Sequence, residues 1–146
     1  MNREIPIQPE PSGVRQRLTE LRDALLHLHK ALMESERIGY EQTFGKISSP
    51  FLFLKLLTED PWFAWFRPVS QLVAAMDEAL DAKEPLTAAC VESLESRTRT
   101  MLVTAESGEG FPQHYDAALQ RDPNVVFAHA DVAKLLRLHA ATHLKQ

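Results

Sequence analysis

Six histidines occur in this chain of 146 residues, and two of them, His139 and His143 in "LRLHAATHLKQ", stand four residues apart. On a helix that spacing offers two imidazoles to a single divalent transition metal. His129 lies about 15 Å along the helix from His139 and cannot share that ion. A second polar set comprises Arg22, His29 and Glu36, seven residues apart and projecting within about 40° of one another, with Tyr40 one turn beyond Glu36. Such a row can hold an anion or a metal. It can equally satisfy itself by hydrogen bonds and ion pairs between helices.

The third constellation is aromatic. "DPWFAWFRP", residues 60 to 68, places Trp62, Phe63, Trp65, Phe66 and Arg67 within six positions. Projected at about 100° per residue, Trp62, Trp65 and Phe66 share a face with Val69, Leu72, Val73, Met76 and Leu80. That face is expected to plug one end of a core, leaving Phe63 and Arg67 outward. An exposed aromatic ring beside a guanidinium can stack on a planar or cationic group, or anchor a protein contact. The five residues are the candidate ligand- or partner-binding surface.

Known catalytic patterns are scarce. There is no glycine-rich phosphate loop before a helix, no Gly-x-Ser-x-Gly and no HExxH. The acidic pairs Glu59/Asp60 and Asp77/Glu78 are neighbours that a helix splays apart or uses as caps. Net charge is −4, with both signs interspersed, which opposes nucleic-acid binding. The basic pair Arg97 and Arg99 sits beside Glu92 and Glu95 and reads as a solvated helix face of mixed sign. The single cysteine, Cys90, allows no internal disulfide. The opening residues contain no apolar signal core, and no run of ~18 apolar residues occurs. These features predict a cytoplasmic protein without a membrane segment.

The elements that must position these side chains are helical. Glycine is sparse, and Ala, Leu, Glu, Gln, Lys and Arg abound. Residues 1–13, with Pro6, Pro9 and Pro11, read as an N-terminal arm, and residues 14–146 as one domain. Leu18, Leu21, Leu25, Leu28 and Leu32 alternate spacings of three and four, predicting a helix from Val14 to about Gly45. Ser49–Pro50 and Asp60–Pro61 each supply a cap followed by a first-turn proline. The short apolar helix after Pro50 is expected to be buried between longer ones. The helix after Pro61 is expected to run to about Ala82, bent at Pro68. Further helices are expected from Pro85 to about Ala105, near Pro112, and from Pro123 onward. The sum is an all-α antiparallel helical bundle of four long helices plus two short ones.

Three resemblances accompany this reading. "ERIGYEQTFGKISSPFLFLKLLTEDPWFAWFRPVSQLVAAMDEAL" resembles a set of small uncharacterised bacterial all-helical proteins sharing Glu36, Arg37, Tyr40, Gly45, Pro50 and the aromatic cluster; it implies a helical fold and no activity. "YDAALQRDPNVVFAHADVAKLL" resembles the junction between tetratricopeptide repeats, and no second copy follows at that period. The HxxxH of "LRLHAATHLKQ" is similar to that of DinB-like four-helix-bundle proteins, which implies a metal held by His29, His139 and His143. The leading expectation is a non-catalytic interaction or ligand-binding module, without cofactor, contacting a protein partner or a second copy as a homodimer. A metal-dependent bundle enzyme of DinB-like type, using His29, His139 and His143 with Glu36 or Tyr40 as acid-base partner, is the alternative.

Overall fold

The computed structural model describes residues 9–103 and 110–144, with side chains described through residue 140. Six α-helices account for most of them: α1 Val14–Phe44, α2 Pro50–Glu59, α3 Arg67–Asp81, α4 Ala88–Met101, α5 Phe111–Arg121 and α6 Pro123–Leu144. Between α2 and α3 lies a 3-10 segment, Pro61–Phe66. No strand occurs among the described residues, and no helix is long and apolar enough to cross a membrane.

α1 is the axis of the molecule, packing against α6, α3 and α4. Its leucine stripe does what the three-and-four spacing demands: Leu18, Leu21, Leu25, Leu28 and Leu32 are all fully buried. Burying a leucine contributes roughly 1.5–3 kcal/mol, so this row fixes which side of α1 faces inward. α1 stops at Gly45, whose φ of 97° and ψ of 168° belong to a backbone region that only glycine enters cheaply. α3 brings Val69, Leu72, Val73 and Met76 to the core, α4 brings Val91 and Leu94, and α6 brings Val125, Val132 and Leu136.

Both predicted cap-and-proline signals are present. The Ser49 hydroxyl accepts from the Leu52 N–H at 3.1 Å, and the Asp60 carboxylate accepts from the Trp62 N–H at 2.9 Å. α4 begins at Ala88 instead of Pro85, because the Thr87 side chain caps it by accepting from the Cys90 N–H at 3.1 Å. Residues 1–8 of the expected arm lie outside the described residues. Glu10 is tied down: its carboxylate receives both Arg15, at 2.8 and 2.9 Å, and the Leu86 N–H at 3.0 Å. The hydrogen bond from Arg15, then that from Leu86, holds the Glu10 carboxyl below the usual range.

Two expectations are corrected. The segment after Asp60 is not one bent α-helix. Phe66, at φ −95° and ψ 9°, separates the 3-10 segment from α3, so Pro68 falls in the first turn of α3, where its missing N–H costs nothing. And α2 is not buried: none of its ten residues is. It packs chiefly on the 3-10 segment, turning Phe53, Leu56 and Leu57 toward the core. Phe51 and Leu54 are left 79% and 59% exposed.

Candidate functional site

The change of helix type decides where the aromatic residues point. A 3-10 helix has three residues per turn, so positions three apart eclipse. Phe63 and Phe66 therefore share one face and both are buried, while Trp62 and Trp65 share another and are half-buried. The expectation that Phe63 projects outward is overturned, since it is only 1% exposed. Its ring meets Phe53 of α2 at 5.8 Å and Tyr40 of α1 at 5.5 Å. Trp62 lies over Gly39, where an added Cβ would come within 3.5 Å of the indole, and its Nε1–H donates to the Glu36 carbonyl at 3.2 Å. Trp65 stacks on His114 of α5 at 5.4 Å. Arg67 is exposed, as expected, but its guanidinium donates to the Thr58 carbonyl at 2.7 Å and so caps the end of α2.

The polar row of α1 does not act as one site. Arg22 pairs with Asp77 of α3 and with Asp23. Glu36 is buried and receives Arg121 of α5 at 2.9 Å, beside Ser35, which accepts from the same guanidinium. Tyr40 packs among Phe44, Trp62 and Phe63. His29 stands edge-on to Phe66 at 5.6 Å, and burial lowers its pKa. His29 does join the aromatic cluster: with Phe63, Phe66, Arg67, Leu57 and Ser70 it lines a cavity of about 320 Å³ beneath α2.

His139 is buried on α6, and its surroundings were not legible from local spacing. Its Nδ1–H donates to Glu95 of α4 at 2.6 Å, and the other oxygen of Glu95 receives Arg17 of α1 at 2.6 Å. Glu95 is therefore no part of a solvated face: its side chain is 3% exposed. Arg17 and His29 are twelve residues apart on α1, about 18 Å along its axis. The Arg17–Glu95–His139 cluster and the His29 cavity are accordingly separate places, and His29 and His139 are not brought together. The side chain of His143 lies outside those described. Among the described residues no three His, Cys, Asp or Glu side chains gather as metal ligands.

Sequence reasoning also missed Tyr115. It is fully buried on α5 and its hydroxyl lies 2.7 Å from Nδ1 of His129 on α6. Burial raises the tyrosine pKa and lowers that of His129. The phenol thus stays protonated and donates, which leaves neutral His129 with its proton on Nε2. Comparison with protein-family profiles, with curated proteins and with solved structures finds no match.

Proposed function

We propose that this protein is a cytoplasmic, non-catalytic interaction module that pairs with a second copy of itself through α2. The single observation that carries this is the exposure of α2. Seven of its ten residues are Phe, Leu or Pro, yet Phe51 and Leu54 stand mostly in solvent. Apolar surface of this kind, on a helix seated on a rigid aromatic base, is a recurrent mark of contact surfaces. The longer helices α1, α3, α4 and α6 serve as an antiparallel scaffold that holds this base.

The charges on α2 favour a second copy over a charged partner. Lys55 and Glu59 are its only ionised residues, one turn apart and opposite in sign. Two copies of α2 running antiparallel set each lysine against the other's glutamate, so the face is self-complementary about a two-fold axis. Ten residues span only about 15 Å, which makes the contact small and the dimer weak, with a Kd of about micromolar order. The aromatic cluster Trp62, Phe63, Trp65 and Phe66 then supports the interface from below, while Arg67 fixes the end of the docking helix.

Sedimentation velocity over a concentration series tests this. Wild type is expected to pass from monomer to dimer, and a Phe51→Glu/Leu54→Glu variant to stay monomeric with unchanged thermal unfolding. Wild type monomeric throughout, or a variant that dimerises equally well, overturns the proposal.

A further inference from the structure

A second opening lies on different elements, between the end of α4 and the middle of α6. It measures about 360 Å³ and is lined by Arg99, Arg137 and His129 around an apolar floor that includes Leu102, Ala133 and Leu136. Its size falls at the lower end of small-molecule sites. The two guanidiniums are not committed elsewhere by charge, for neither forms an ion pair among the described residues. Arg99 makes one long contact, 3.2 Å, to the Leu136 carbonyl. Elsewhere Arg15, Arg17, Arg22, Arg37 and Arg121 hold carboxylates, and Arg67 is taken up by the Thr58 carbonyl at 2.7 Å.

We infer that this groove binds a small amphiphilic carboxylate, with the carboxylate held by Arg99 and Arg137 and a short aliphatic chain lying on the floor. Guanidinium groups match carboxylates in a planar, two-point fashion that lysine cannot reproduce. His129 supplies a third donor of fixed identity. Its Nδ1 is taken by the Tyr115 hydroxyl, so any hydrogen bond it gives a ligand comes from Nε2–H. The C-terminus of α4 opposes an anion with about half a negative charge, but its end is capped by the Leu102 N–H on the Thr98 carbonyl. Two full positive charges outweigh it. The apolar floor explains why a bare anion is not the ligand: Leu102 and Leu136 offer nothing to a hydrated ion and gain from an alkyl chain.

Isothermal titration calorimetry on the full chain, with three probes, tests the inference. Octanoate carries both charge and chain, octanol the chain alone, and acetate the charge alone. Octanoate is expected to saturate a single site and to bind more tightly than either of the others. Arg137→Gln, at an exposed position, should weaken octanoate about tenfold or more, as loss of a charge-assisted pair does, with thermal unfolding unchanged. Ala133→Phe, which fills the floor, should weaken it as well. Octanol or acetate binding as tightly as octanoate, no saturable octanoate binding, or full affinity in both variants overturns the inference.

Discussion

The two ends of this molecule treat polarity in opposite ways. Around Arg17, Glu95 and His139 it buries a carboxylate and an imidazole against a half-buried guanidinium where α1, α4 and α6 meet. Around α2 it exposes phenylalanine and leucine. The first arrangement carries a desolvation cost that only mutual hydrogen bonding offsets, and the second leaves burial energy ungained unless another surface covers it. The contrast teaches that apolar character along the sequence does not by itself mark the core. In this chain a carboxylate, Glu95, is more deeply buried than any residue of α2.

The sharpest way to break the comparison uses two phenylalanines twelve positions apart. Phe63 is sealed among Phe53, Tyr40 and Phe66, so Phe63→Ala should destabilise the fold by about 4 kcal/mol in urea denaturation. Phe51→Ala should change monomer stability by less than about 0.5 kcal/mol, because its ring is mostly in water already. Equal effects would mean that α2 is as much a part of the core as the 3-10 segment. The polar end comes next. Glu95→Ala strands the Arg17 guanidinium, whose Nε already makes no hydrogen bond among the described residues, and should cost about 3 kcal/mol. Glu95→Gln should cost less, since an amide oxygen still accepts from one of the two neighbours.

How much of this was readable in advance follows from the range of each interaction. The leucine row of α1, the Ser49 and Asp60 caps and the start of α6 at Pro123 are local, set by residues within a turn or two, and sequence spacing locates them. Glu95 meets Arg17 across 78 positions and His139 across 44, so no window of periodicity could pair them. Beside Glu92 and Arg97 the glutamate looks solvated, although it occupies the same helical face as Val91 and Thr98, which are both buried. That phase was the available signal. The aromatic segment failed for another reason. At 100° per residue Phe63 points outward, and only the shift to three residues per turn, forced by Pro61 and Pro68 bracketing a short run, turns it inward.

The smallest expected effect separates the two ends by pH. His29, in the cavity beneath α2, and His129, beside Tyr115, both have pKa values lowered by burial. A histidine in the unfolded chain titrates near about 6.5, so between that value and the lower folded pKa the unfolded state binds more protons. Stability contributed by the neutral ring is complete above about pH 6.5 and is lost as the pH falls toward the folded value. Among the described residues, the charged side chain lining the His29 cavity is that of Arg67. Tm measured from pH 7.5 to pH 5 should therefore fall less steeply in His29→Gln than in wild type, and the double variant with His129→Gln should be flatter still. Because the two rings sit in separate cavities, on α1 and α6, their contributions to the slope should add. A slope unchanged by either substitution would place the acid sensitivity elsewhere.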